Sequence, residues 1–434
     1  MPDIRRYYPM RYWLLVAYAI GVPGFTKFDP TGKTHEFGLF NPQSIIQIAL
    51  TLLCAFAITT LTLTANKAIH QRDIRFKYPF WLLLITIMLA ASLANPRNNA
   101  ILSLYRVFEW FVFYSLFASA YSRERVENNL TFLRDIIMKV VQGSTALVFI
   151  ALAVYPSLAY ASTEDVTGSI DIRLGGFVIH PNTLGVLAGI GLVHSILFDR
   201  GLKRAALVMF YGTVSLLTVS RGAWIGLVVA FGVYFVASPS RTAKILAVIG
   251  TFTVILSTLL FSQRIIAVME RGQGSRGLVT FSERTFVWAT AYRAFRMRPL
   301  IGYGYVDGVR RILADLFPLR YWTPPHCHSE LLQALVSGGI LCGMLVLLLY
   351  GWTVIRLIRL TVRHPKSRNV SFFLLVYVQV VAFAFDGPVL TRPLEQIGCV
   401  FILCFVACFD AIPTRQSPDE ELTWTSGDLL EVRG

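Results

Sequence analysis

The sequence predicts an all-α integral membrane protein, a bundle of about 12 spanning helices with one large extracytoplasmic loop. Three observations carry that prediction. The chain of 434 residues is 55% hydrophobic and only 15% charged, with a mean hydropathy of +0.58, whereas soluble globular domains carry about 25% charged residues. Its apolar residues gather in runs of roughly 17 to 25, the length that crosses a bilayer core. The short connections between runs alternate in positive charge, as the positive-inside rule requires of a correctly divided bundle.

In chain order the candidate spans are 10–24, 43–65, 79–95, 101–121, 136–157, 176–198, 205–219, 221–238, 243–262, 331–357, 369–388 and 395–412. One side of the bundle receives Lys67, Arg72, Arg75 and Lys77, then Arg123, Arg125 and Arg134, then Arg200, Lys203 and Arg204, then Arg241 and Lys244, and finally Arg356, Arg359, Arg363, Lys366 and Arg368. Arg5, Arg6 and Arg11 join them, so both termini are expected in the cytoplasm. In a soluble protein the net charge of +15 would suggest nucleic acid; here the sorting of Lys and Arg accounts for most of it, and no nucleic-acid partner is expected. The opposite side holds loops near 25–42, 158–175 and 263–330 and the turn at Ser220-Arg221. The expected division is therefore 1–262 with nine helices, 263–330 as the extracytoplasmic loop, 331–412 with three helices, and 413–434 as an acidic, disordered cytoplasmic tail.

No cleavable signal peptide is expected. Arg5 and Arg6 precede a short apolar stretch, but Gly21-Val-Pro-Gly24 lacks the small-x-small pattern and further spans follow. Cys54, Cys342, Cys399, Cys404 and Cys408 fall in apolar runs and read as packing residues; Cys327 reads as exposed.

The 263–330 loop breaks the charge rule, with Arg264, Arg271, Arg276, Arg284, Arg293, Arg296, Arg298, Arg310, Arg311 and Arg320 on the outer side. Long loops translocate regardless of charge, so the topology stands, and fixed cations there point to an anion such as a lipid phosphate or pyrophosphate. Phe281 to Arg298 reads as a helix along the membrane surface, with an apolar stripe of Phe281, Trp288, Tyr292 and Phe295.

Several residues have the chemistry of a site. His326 and His328, ahead of the span opening at Glu330, suit removal of a proton from a hydroxyl; the alternative is a histidine capping the next helix. The His-Cys-His triplet also invites zinc, but its spacing is cramped and no His-Glu-x-x-His accompanies it, so no metal is expected. Arg221, in Thr218-Val-Ser-Arg-Gly-Ala-Trp224, places a guanidinium at the outer rim beside Gly222 and Ala223, which permit close approach; snorkelling is the plain alternative. Arg284 and Trp288 are an i, i+4 cation and aromatic pair, also readable as structural packing. Arg293 is a further cation of that helix. Arg106 and Glu109, i and i+3 within a span, read as an internal ion pair. Asp386 with Arg392, and His180 with Asn182, are further polar points near outer helix ends. A Walker A loop, a dinucleotide fingerprint and an outward Asp-x-Asp pair are absent, so a membrane enzyme built this way needs a donor already activated in the lipid, and no cofactor is expected.

Thr218-Val-Ser-Arg-Gly-Ala-Trp224, Arg284-Thr-Phe-Val-Trp288 with Arg298-Pro-Leu-Ile-Gly-Tyr-Gly304, and His328-Ser-Glu-Leu-Leu-Gln-Ala-Leu-Val-Ser-Gly-Gly-Ile340 together resemble the O-antigen ligase and Wzy-type polysaccharide polymerase superfamily. The likeness extends from the span count to the outer loop. Glu283 stands where the family often has Gly, and Ser329 where it often has Asn, which leaves ligase against polymerase open. The resemblance implies a GT-C-like, metal-independent glycosyltransferase of the bacterial inner membrane with a periplasmic active site. It would take an undecaprenyl-pyrophosphate-linked glycan as donor and a saccharide as acceptor, with a chain-length regulator as a further partner. Arg221 and Arg284 would hold the pyrophosphate, and His328 would act as base. A repeat-unit polymerase is the expected function and a ligase acting on lipid A-core the alternative. A lipid-linked oligosaccharide flippase is the rival of another class, but it predicts paired internal repeats and a charged midplane cavity, which the sequence lacks.

Overall fold

The computed structural model describes residues 9–21, 42–63, 79–95, 98–121, 129–164, 170–176, 178–237, 284–318 and 324–410. It is mostly helical: α1 (Pro9–Gly21), α2 (Pro42–Leu63), α3 (Pro79–Ala94), α4 (Ala100–Tyr121), α5 (Asn129–Val154), α6 (Pro181–Phe198), α7 (Gly201–Leu217), α8 (Arg221–Ala237), α9 (Arg284–Met297), α10 (Asp307–Leu316), α11 (Glu330–Arg363), α12 (Arg368–Phe383) and α13 (Gln396–Asp410). Four apolar stretches are long enough to cross a membrane, Ala100–Ala118, Leu130–Val154, Pro181–Phe198 and Glu330–Arg363; several other apolar helices are shorter. The chain is a multi-pass membrane protein. Apart from 243–262, which with the acidic tail, Arg264, Arg271, Arg276 and Arg320 lies outside the described residues, every expected span falls on a helix.

Some boundaries move for local reasons. The sixth helix starts at Pro181, five residues later than expected from 176, because His180 caps it and Pro181 sits in its first turn, where a missing N–H costs nothing. The twelfth ends at Phe383, short of 388, where Ala384 to Gly387 fold back on the carbonyls of Val380 to Phe383. The fold is also not purely α. Strands β1 (Tyr160–Glu164) and β2 (Ile170–Leu174) form an antiparallel hairpin with Ala161 opposite Arg173. The β-branched Ile170 and Ile172 favour the extended backbone of β2, which buries Arg173 and Leu174 and leaves Ile172 65% exposed.

The core centres on α12, whose residues from Val370 to Val380 are buried on every face, the pattern of a helix enclosed by others. It packs on α8, α6 and α11, while α6 packs on α7 and α5. At one end of the bundle Arg134 donates to Asn369 at 2.9 Å and lies 4.3 Å from the Phe198 ring centre, joining connections that carry the positive excess.

At the other end α11 breaks at Gly338 and Gly339, where Gly339 takes φ +74° and ψ −165°, a region open only to glycine. The break frees backbone groups that the 299–304 segment then satisfies. Tyr303 N donates to Val336 O and Gly304 N to Ser337 O, each at 2.8 Å, and Ile340 N donates to Pro299 O at 2.8 Å. Gly302 (φ +73°) lies so close that a Cβ there would sit 2.6 Å from Val336 O. Tyr305 completes the anchor: fully buried, it receives the Trp110 indole N–H at 3.0 Å and donates to the Arg392 carbonyl at 2.5 Å.

The side of α9 packed into the protein is Val287, Thr290, Ala291 and Ala294, small residues that let α9 approach α11 closely, while Trp288 and Phe295 are half-buried, Tyr292 is 55% exposed and Phe281 lies outside the described residues. One expectation about the outer segment is corrected: Cys327 is fully buried, enclosed with Ala291, Ala294, Tyr303, Val309, Leu313 and Val336. Gly339→Ala, which forces a side chain into the glycine-only break and against Leu300 O, should destabilise the protein by about 1–3 kcal/mol. A thermal-unfolding midpoint equal to wild type in detergent would contradict the clasp.

Candidate active site

The loops at this end bring together side chains from five places: the β hairpin, the start of α6, the α7–α8 turn, the start of α9 with the 324–330 segment, and the 384–395 connection. Arg173 fastens the hairpin, donating from Nε to Thr218 O at 2.9 Å and from Nη2 to Asn182 Oδ1 at 2.6 Å. Asn182 Nδ2 donates onward to Asp386 Oδ2 at 3.1 Å, and Asp386 forms an ion pair with Arg284. Gly222 lets that carboxylate in, since a Cβ there would stand 2.7 Å from Asp386 Oδ2. Asp386 therefore pairs with Arg284, and Arg392 with Glu395, so the two polar points noted together in the sequence have separate partners.

Arg221 opens α8 on the same side. Burial first, and then the nearby guanidiniums of Arg221 and Arg173, lower Arg284 to about 10. Burial likewise lowers Arg392 to about 10, partly offset by Glu330. Both stay charged at neutral pH. Glu330, 2% exposed, is not a counter-charge to a single partner: its carboxylate accepts the backbone N–H groups of Val389, Leu390 and Thr391, fixing the strand of chain that delivers Arg392.

Three imidazoles lie among these cations. His180 Nδ1 accepts from Asn182 N at 3.2 Å as the α6 cap. His326 and His328 rings stand 4.2 Å apart, with His328 N donating to His326 Nδ1 at 3.1 Å. Trp288 Nε1 donates to His328 O at 3.2 Å, so Arg284 and Trp288, one turn apart on α9, hold the two halves of the site. His328 takes φ +49°. Burial, then Arg284 and Arg392, hold His328 well below the usual histidine range; burial, with the surrounding cations, does the same to His326 and His180. All three are neutral at physiological pH.

The structure thus brings Arg221, Arg284, His180, His326, His328 and Asp386 together. It leaves Arg293 out: nine residues beyond Arg284, half a turn round in phase, it lies on the exposed face of α9. Arg106 and Glu109 lie beneath the site as a buried pair at 2.9 Å. The His-Cys-His triplet does not converge as a ligand set, because Cys327 turns into the apolar cluster and His326 Nδ1 is taken; among the described residues no group of three or more His, Cys, Asp or Glu could hold a metal ion. Arg173, Glu330 and the pairing of Arg392 with Glu395 were not singled out from the sequence. Arg392 and Glu395 had a signal in being charges three apart in an otherwise apolar stretch; strand alternation would have put Arg173 on the exposed face, where Ile172 lies instead.

Among the described residues Arg173, Arg221, Arg284 and Arg392 meet the carboxylates of Asp386 and Glu395, and Glu330 also acts on Arg392. Fixed guanidiniums in a buried setting beside neutral imidazoles are suited to holding an anion.

Residues 205–348 match the O-antigen ligase family. The match runs from α7 into α11 and contains Arg221, Arg284, His326 and His328. Match and motifs agree on the O-antigen ligase and Wzy-type polymerase superfamily and support a ligase- or polymerase-type function. No curated protein matches the chain.

Buried neutral histidines make folding pH-sensitive. Their folded pKa values lie below the unfolded value of about 6.5, so the unfolded chain binds protons first and stability falls as pH drops from about 6.5. The thermal midpoint should fall between about pH 7 and about pH 5, and His180→Asn, which removes one such group and keeps a capping oxygen, should flatten the slope. Parallel slopes for variant and wild type would refute this.

Proposed function

We propose that the protein is a metal-independent GT-C-type glycosyltransferase with about 12 spanning helices, working at the periplasmic face of the bacterial inner membrane with both termini in the cytoplasm. It transfers a glycan from an undecaprenyl-pyrophosphate donor to an acceptor sugar hydroxyl, polymerising surface-polysaccharide repeat units. The observation that carries this reading is the convergence of Arg221, Arg284 and His328 at one end of the bundle, with Arg173 and Arg392 beside them.

In this mechanism His328, neutral before reaction, takes the proton of the acceptor hydroxyl. The oxygen attacks the anomeric carbon of the donor, and the bond from that carbon to the diphosphate oxygen breaks with its electron pair leaving on the diphosphate. Fixed guanidiniums stabilise the charge growing there without having to reorganise. Asp386 keeps Arg284 oriented until the anion arrives.

A second reading has the same chemistry and another acceptor: an O-antigen ligase attaching finished glycan to lipid A-core, favoured by the description of the matching family. Purified protein given lipid-linked repeat units alone should lengthen chains; lengthening that requires a chain-length regulator still fits, whereas transfer only after core lipid is added favours the ligase. His328→Ala should reduce transfer at least about a hundredfold with normal membrane insertion. Arg284→Lys, which keeps the charge and loses the fork, should cost about tenfold or more. Wild-type rates in either variant would remove that residue from the mechanism.

A further inference from the structure

His326 and His328 are two residues apart, and the backbone gives them different tasks. The His328 amide donates to His326 Nδ1 at 3.1 Å. A ring nitrogen that accepts an N–H carries no proton, so the neutral His326 ring holds its proton on Nε2 and is a donor there. Burial and the cations around it oppose a second proton, which would also break the bond to the His328 amide. His326 therefore has no bare nitrogen left to serve as a base.

Among the described residues the charged side chains acting on this ring are the cations Arg392 and Arg284, with the His328 and His180 imidazoles beside them. The carboxylates described at the site are committed elsewhere: Asp386 to Arg284 and Asn182, Glu395 to Arg392, and Glu330 to the amides of residues 389–391. A donor fixed among guanidiniums, with the local carboxylates engaged, matches an incoming oxyanion.

We propose that His326 is an anion-binding residue of this site, donating its Nε2–H to a phosphoryl oxygen of a diphosphate while its Nδ1 holds the His328 backbone in its left-handed turn. The inference rests on the proposed function in taking the anion to be a diphosphate. It assigns the adjacent imidazoles complementary roles, His326 on the leaving group and His328 on the acceptor.

Two substitutions separate the roles of the two ring nitrogens. In His326→Asn the amide oxygen occupies the position of Nδ1 and can still accept from His328 N, but nothing reaches as far as Nε2. In His326→Gln the amide nitrogen reaches the Nε2 position as a donor, and the Nδ1 acceptor is lost. Binding of inorganic pyrophosphate and of undecaprenyl pyrophosphate to the full chain in nanodiscs is the readout. His326→Asn should weaken undecaprenyl pyrophosphate about tenfold or more, the usual scale for a hydrogen bond to a charged group, and His326→Gln should stay within about threefold. The inorganic arm shows whether the free anion is bound the same way. Asn binding like wild type, or Asn and Gln falling alike, overturns the inference, since a purely structural His326 favours Asn. Wild-type protein that binds neither ligand overturns the diphosphate reading beneath it, whereas transfer activity with unaltered His326→Asn binding overturns the inference alone.

Discussion

The constraint on which this end of the molecule depends is electrostatic. Arg173, Arg221, Arg284 and Arg392 are held near one another at the end of an apolar bundle, where screening is weak and like charges repel. Two devices make the arrangement tolerable. Asp386 and Glu395 each take one guanidinium, and Arg173 spends its donors on Thr218 O and the Asn182 side chain. The result is a group of guanidiniums held in place by hydrogen bonds from several elements, costly to build and, on the proposed reading, prepared for an anion before one arrives.

Holding those cations still requires loops that behave like rigid structure, and the chain achieves this by trading backbone hydrogen bonds. The break at Gly338 and Gly339 releases the carbonyls of Val336 and Ser337 and the amide of Ile340, and the 299–304 segment takes all three. Buried backbone polar groups are satisfied almost without exception, so neither the break nor the segment is stable without the other. Tyr305 extends the anchor to α4 through Trp110 and to the 384–395 connection through Arg392 O. Glu330 holds the same connection from the other side. The first turn of α11, the His328 imidazole and the guanidinium of Arg392 are thus tied into one body.

Most of the helical framework was legible in the sequence because apolar runs and the placement of Lys and Arg are local signals. The pairing of polar groups was less so. His328, Arg221 and Arg284 stood out as charges and an imidazole at the edges of apolar runs, but whether Asp386 faces Arg284 or Arg392 depends on how α12 ends, and that turn is set by tertiary packing. Cys327 misled for the same reason: a polar-looking Pro-Pro-His-Cys-His stretch reads as exposed, yet α9 and α10 fold over it. The protein-facing side of α9 was not legible, because the small residues Ala291 and Ala294 that let the helix sit close against α11 carry little signal beside its aromatics. Arg173 was hidden in a loop that turned out to be a hairpin.

The same electrostatics orders the proposed reaction. With the site empty, burial and the charges of Arg284 and Arg392 keep His328 deprotonated, so the base is ready but weak, because a nitrogen surrounded by cations resists a proton. A bound diphosphate would bring negative charge among those same guanidiniums and cancel much of their effect on the ring. The imidazole would then accept a proton more readily with the donor in place than without it. On the proposed reading, base strength at His328 is coupled to occupancy of the anion site through charge alone, with no moving part. The acceptor hydroxyl is activated when there is a glycan to receive, and an empty site has little power to deprotonate it. An imidazole so placed serves this end better than a carboxylate would, since a carboxylate would itself pair with the guanidiniums and occupy the place of the anion.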